Sequence, residues 1–297
     1  MPIKVAKTSG FCYGVRRAME LALAATHKHR SQRVYTWGPL VHNRQAVDLL
    51  QARNIVPAET VDVIRNGVVL IRAHGVAPGV RRELEKHAEE VIDATCPHVA
   101  RAQQIASEYA SRGYAIIIIG DKGHPEVTGI LGCVPDGRGF VVETPEEVSQ
   151  LPRNLEKVCV VAQTTQSGER FEPIVKNIKS IYPEAKIFNT VCGATSARQM
   201  EIKELARDVD AMIVIGGYHS ANTRRLAEIS RQYGVPTFHI ETAEELEFNK
   251  ISRYHTIGVT AGASTPHWVI RNVIERLREF EEMRRSTVVR FIHSVLR

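Results

Sequence analysis

Residues 115–127 read AIIIIGDKGHPEV: five apolar residues, four of them isoleucine, break into glycine and then into ionisable side chains. A β-branched run of five has strand length, and unbroken apolarity rather than alternation marks a strand buried on both faces. Sheets are covered on both faces when parallel strands are joined by crossover helices. The same punctuation recurs on either side. Val34–Trp37 runs into GPLVHN, Val68–Arg72 into AHGV, Val158–Ala162 into QTTQS, Ala211–Ile215 into GGYHSANT and Thr256–Val259 into TAGASTP. Helix-period apolar sets lie between the runs: Val15, Met19, Ala22 and Leu23; Ile202, Leu205, Ala206 and Val209; Ile270, Val273, Ile274 and Leu277. Strand, turn and helix in repetition predict an α/β fold with small parallel sheets.

In such folds a ligand sits beyond the carboxyl ends of the strands. The residues just after each apolar run are therefore the candidate site: His42, His74, His124, Glu126, Thr164, Thr165, Ser220, Asn222 and Ser264. Glu126 is the one carboxylate among them, which marks it as the candidate proton donor.

Five cysteines stand at 12, 96, 133, 159 and 192, with no CxxC pair among them. Cys12, Cys96 and Cys192 each precede a helical segment, in FCYGVRRA, TCPHVARA and VCGATSARQ. The first strand tip follows at 30 residues (His42), 28 (His124) and 28 (Ser220), and the second at 62 (His74), 68 (Thr164) and 72 (Ser264). Parallel spacings of this kind indicate three pseudo-equivalent modules. They run over 1–95, 96–191 and 192–282, with a tail over 283–297. Cys133 and Cys159 fall inside apolar segments and read as core residues. The arginines that follow each cysteine read as exposed helix charges.

The chain has 297 residues, 43% of them hydrophobic and 24% charged, which excludes disordered and fibrous classes. Its net charge of +6 is spread without a basic stripe or an aromatic platform, so a nucleic-acid role lacks support. Apolar runs of five residues fall far short of a membrane span, which needs roughly 20. Residues 1–9 lack the apolar core of a signal peptide, and an odd cysteine count argues against a secreted disulfide framework. The expected setting is the cytoplasm, with no membrane partner.

Three modules facing one another would bring three thiolates to a common centre with one coordination position left open. Thiolate ligation suits zinc or an iron–sulfur cluster. A reductase, a hydro-lyase without net electron transfer and a non-catalytic cluster or zinc sensor all remain compatible with that centre.

GFCYGVRRA, GPLVHN, RAHGV, DATCPHV, GHPEV, QTT, NTVCGATSARQ, SANT and TAGASTP, in order from about residue 10 to about residue 280, resemble the motifs of the 4-hydroxy-3-methylbut-2-enyl diphosphate reductase family (LytB/IspH). The resemblance implies a trefoil of α/β modules around a central iron–sulfur site. It implies that Cys12, Cys96 and Cys192 hold one [4Fe–4S] cluster per chain, with its fourth iron free of protein ligands. His42, His74, His124, Ser220, Asn222 and Ser264 would bind the substrate diphosphate, with Thr165 beside them. Glu126, helped by Thr164, would deliver the proton. The implied reaction is reductive dehydroxylation of the allylic diphosphate to isopentenyl and dimethylallyl diphosphate, the last step of the non-mevalonate isoprenoid pathway. Electrons would come from a reduced ferredoxin or flavodoxin-type donor. Ala221 departs from the pattern, since many members carry a serine there, and removes one hydroxyl from the pocket.

Overall fold

The structure, a computed structural model, describes residues 1–64 and 67–295, with side chains as far as residue 286. The chain opens with β1 (Ile3–Val5) and reaches Cys12, which stands at the start of α1 (Tyr13–Lys28). β2 (Val34–Trp37), α2 (Arg44–Gln51), β3 (Ile55–Ala58), β4 (Val68–Ile71), α3 (Pro78–His87) and β5 (Glu90–Asp93) lead to Cys96. After it come α4 (Pro97–Ser111), β6 (Ala115–Ile119), α5 (Pro125–Leu131), β7 (Gly139–Val142), β8 (Val158–Ala162), α6 (Gly168–Ile181) and β9 (Lys186–Ile187), which leads to Cys192. α7 (Gly193–Arg207), β10 (Ala211–Ile215), α8 (Ala221–Gln232), β11 (Thr237–Ile240), α9 (Phe248–Ile251), β12 (Ile257–Ala261) and α10 (His267–Val295) follow. The segment 283–297 thus begins inside α10; residues 296–297 and the side chains from 287 onward lie outside the described residues.

The strands form three four-stranded sheets, ordered β3-β2-β4-β5, β7-β6-β8-β9 and β1-β12-β10-β11. Every pairing among the described residues is parallel. Each sheet centres on two of the apolar runs seen in the sequence, and its edge strands are less buried. The third sheet takes its fourth strand from the start of the chain, with Ile3 opposite Ile257 and Val5 opposite Val259. The chain divides into two compact units: Cys12–Ser196, with the first two sheets, and Met1–Phe11 with Ala197–Arg297, with the third.

Packing explains the isoleucine run. Ile116 and Ile118 face Ala102 and Ala106 of α4 and Val127 and Ile130 of α5. Ile117 and Ile119 face Phe171, Ile174 and Ile178 of α6. All four isoleucines are fully buried, and each such side chain contributes about 1.5–3 kcal/mol. In the other unit, Ala211, Ile213 and Ile215 of β10 pack on Val273 and Leu277 of α10, while Met212 and Val214 pack on Ile202 of α7 and Leu226 of α8. Both faces are filled, so the carboxyl ends of the strands are where side chains are left for chemistry.

Candidate active site

Each of the three cysteines sits at a helix start. The Cys12 carbonyl accepts from Arg16 N at 2.9 Å, the Cys96 carbonyl from Ala100 N at 2.9 Å and the Cys192 carbonyl from Ser196 N at 3.0 Å. All five cysteines are free. Burial raises the Cys96 thiol, with Cys12 and Cys192 pushing it further up and the His98 and Val99 amides opposing them. Cys12 and Cys192 thus both act electrostatically on Cys96 within the Cys12–Ser196 unit. Thiols that disfavour one another's ionisation would gain from a bound cation centre, so this donor set fits a thiolate-held metal cluster with one open position.

Gly14 lies against this centre. A Cβ built there falls 2.5 Å from the Cys96 sulfur. We expect Gly14→Ala to strengthen α1 by about 1 kcal/mol of intrinsic propensity and yet to lower cofactor content. Iron per chain measured beside far-UV circular dichroism checks both signs.

Strand ends and cysteines are tied by main-chain bonds. Cys96 N donates to Ala73 O at 3.0 Å, directly before His74, and Cys192 N donates to Thr164 O at 2.9 Å. Thr164 also donates its amide to Glu126 Oε1 at 2.6 Å and its hydroxyl to Oε2 at 2.8 Å. Glu126 is 1% exposed. Burial pushes its carboxyl up to about 7, against the two Thr164 hydrogen bonds and with some help from Asp121. A buried carboxyl that is half-protonated near neutrality is a poised general acid. Thr165 turns elsewhere, its hydroxyl accepting from Gln163 Nε2 at 2.8 Å.

The three histidines gather into one cluster. Ring centroids are 4.3 Å apart for His42 and His74, 5.6 Å for His42 and His124, and 5.5 Å for His74 and His124. Desolvation first, then His42, His124 and Arg72, hold His74 well below the usual imidazole range. His124 Nδ1 accepts from Glu126 N at 3.2 Å, so the proton of the neutral ring sits on Nε2 as a donor. Their ligand nitrogens all lie within 4.8 Å of one another. That span suits several donors converging on phosphate oxygens.

Ser220, Asn222 and Ser264 lie in the other unit, beyond β10 and β12, whose ends pair Ile215 with Ala261. Ser220 caps α8 by accepting from Thr223 N at 3.3 Å, which leaves its hydroxyl proton available at a helix N-terminus suited to anions. Asn222 is 4% exposed, and neither its amide oxygen nor its nitrogen has a hydrogen-bond partner. Buried amides are almost always satisfied, so this one is prepared for a polar ligand. Ala221, 5% exposed, occupies the first turn beside it and offers no hydroxyl.

Three residues were missed or misread in the sequence. Arg101 is exposed, as a helix charge should be, but Arg198 is 6% exposed and donates to Gly10 O at 2.7 Å. Arg17 is half-buried and donates to Thr95 O at 3.2 Å and Asp93 O at 3.3 Å. Gly14 carried a readable signal, two residues after Cys12. Cys159 is buried within β8 and raised to about 12, and Cys133 gives its thiol to Gly129 O at 3.3 Å and is raised to about 11, in both cases chiefly by burial. Neither is a ready thiolate.

The family described as LytB protein matches residues 3–278. The 4-hydroxy-3-methylbut-2-enyl diphosphate reductase of Geobacter sulfurreducens is 44% identical over 96% of this chain and all of its own length. The reductase of the same name from Aquifex aeolicus is 42% identical over 94% of this chain and 97% of its own. Among solved structures, the E-1-hydroxy-2-methyl-but-2-enyl-4-diphosphate reductase from Plasmodium falciparum superposes with a TM-score of 0.87 at 29% identity, over 92% of this chain and 87% of that one. A structure of (E)-4-hydroxy-3-methyl-but-2-enyl diphosphate reductase, the terminal enzyme of the non-mevalonate pathway, gives 0.69 at 42% identity, over 94% and 100%. No helix among the described residues is long and apolar enough to cross a membrane. With its cysteine centre, its histidine cluster and its buried acid all inside the matched span, the chain belongs to the LytB family of 4-hydroxy-3-methylbut-2-enyl diphosphate reductases.

Proposed function

We propose that the chain reduces (E)-4-hydroxy-3-methylbut-2-enyl diphosphate to isopentenyl and dimethylallyl diphosphate, with Cys12, Cys96 and Cys192 holding one [4Fe–4S] cluster. The observation that carries this reading is Glu126, a buried acid raised to about 7 and hung on Thr164, whose carbonyl in turn holds the Cys192 amide. One residue thus couples the proton donor to the thiol centre. When bound, the cluster supplies electrons and an open Lewis-acid position.

The chain's own groups do the rest. His42, His74, His124, Ser220, Asn222 and Ser264 take the diphosphate through ring N–H, hydroxyl and amide donors. With Glu126 protonated, the hydrogen bond runs from its carboxyl to the Thr164 oxygen, so the Thr164 hydroxyl would give its own proton to the substrate hydroxyl and take the one from Glu126 in its place. Hydroxide is a poor leaving group, so this proton is what lets it depart as water. Thr165, fixed by Gln163, keeps its hydroxyl proton for the ligand side.

Electrons arrive singly from a reduced ferredoxin or flavodoxin-type protein, and a net charge of +6 favours such an acidic partner. Five free cysteines suit a reducing cytoplasm. No observation favours the hydro-lyase or sensor readings over the reductase.

Protein purified without oxygen is expected to be brown and to carry about four iron and four sulfide per chain. Colourless protein holding zinc alone would overturn the cofactor assignment.

A further inference from the structure

Arg17 and Arg198 have a shared task that their place in the sequence does not announce. Arg17 lies in α1, the helix that starts at Cys12, and grips the loop that enters Cys96 through the Asp93 and Thr95 carbonyls. Arg198 lies in α7, the helix that starts after Cys192, and grips the loop that enters Cys12 through the Gly10 carbonyl. In each case the helix behind one cysteine holds the approach to another. We propose that Arg17 and Arg198 are positioning residues that preset the cysteine loops before the cofactor arrives, a role that rests on the cluster reading above.

The hydrogen-bond accounting of the Cys96 loop supports this. Its amides go to β4 and to its own aspartate: Ala94 N to Ile71 O at 3.1 Å, Thr95 N to Asp93 Oδ1 at 2.9 Å and Cys96 N to Ala73 O at 3.0 Å. Two of its carbonyls go to Arg17. Without the guanidinium those two carbonyls lose this donor, and the loop keeps its amide bonds and the Arg81 contact to the Asp93 side chain. A guanidinium presents a rigid fork that spans two carbonyls, whereas a lysine is a single point donor. The Asp93 carboxylate is already engaged by Arg81 at 2.8 Å, so Arg17 acts on the loop's main chain and not through an ion pair with it. Groups that orient metal ligands in this way cost about 10-fold to 100-fold in metal affinity when removed.

The molecule supplies its own control. Arg101 follows Cys96 at the same distance at which Arg17 follows Cys12, and it is exposed. The test compares Arg17→Gln, Arg17→Lys and Arg101→Gln in the full chain. In apoprotein, a short bis-maleimide is allowed to link the thiols, and peptide mass spectrometry gives the ratio of Cys12–Cys96 to Cys12–Cys192 products. In anaerobically loaded protein, a chelator times iron release. Arg17→Gln should lower the ratio several-fold and speed iron release about 10-fold or more, with Arg17→Lys between it and wild type and Arg101→Gln at wild type. A general loss of stability would slow both cross-links together and leave the ratio unchanged. If Arg17→Gln does not fold, Arg17→Lys carries the comparison. A ratio in the Arg17 variants equal to that of Arg101→Gln overturns the proposal. Wild-type protein without iron would overturn the cluster reading instead, while the apoprotein ratio would still judge Arg17.

Discussion

Glu126→Gln should bind substrate and keep the cluster, yet turn over roughly 10²–10⁴-fold more slowly, the range for a positioned acid or base. The side chain is 1% exposed and spans the Thr164 amide and hydroxyl, so the isosteric amide preserves shape while removing the acidic proton. The pH profile carries a second signature. Burial raises the carboxyl from 4.5 to about 7, and in the proposed role the protonated form is the active one. The rate governed by free enzyme should therefore fall as pH rises through about 7, and Glu126→Gln should lack that limb. Stability follows the same sign. A pKa raised on folding contributes stability that is present in full below 4.5 and is lost as pH rises through about 7. Pre-steady-state turnover and thermal melts across pH 5–9 check both. Near-wild-type turnover in Glu126→Gln would remove Glu126 as the acid.

Cys12→Ser should lose most of its iron, whereas Cys133→Ser should retain it. The contrast is physical rather than positional. Cys12 heads a helix and acts electrostatically on Cys96. Cys133 is pushed up to about 11 and spends its thiol proton on a main-chain carbonyl. Serine at Cys12 replaces a soft donor by a hard hydroxyl that stays protonated near neutrality. Iron and sulfide counts with an electron paramagnetic resonance spectrum of the reduced protein check this pair. Equal iron retention in the two variants would refute the ligand assignment.

The central strands were readable because burial on both faces leaves an apolar run with no polar alternation. β6 and β8 appear with the same limits in sequence and structure, and β4 and β12 differ by one or two residues at their ends. The edge strands were not readable. β9 is two residues long, and all of β5 is only half-buried, so neither leaves a distinctive pattern. β1 was hidden for a different reason. Its partner β12 lies some 250 residues away, and no local pattern encodes such a pairing.

The candidate site was legible where residue type limits chemistry. A lone carboxylate among strand tips pointed to Glu126, and parallel spacings pointed to three of five cysteines. What could not be read was how those groups are held. The Thr164–Glu126 contact spans 38 residues and the Arg198–Gly10 contact 188, so both depend on tertiary closure. The arginines were misread for the same reason: on a helix alone they are solvent charges, and only an incoming loop makes them donors to main-chain carbonyls.

Under strict anaerobiosis, a one-electron chemical reductant is oxidised while (E)-4-hydroxy-3-methylbut-2-enyl diphosphate is consumed, and both are counted. Two electrons should be taken up for each diphosphate converted, with isopentenyl and dimethylallyl diphosphate as the products. Consumption of the diphosphate without oxidation of the reductant would contradict this and place the centre among hydro-lyases.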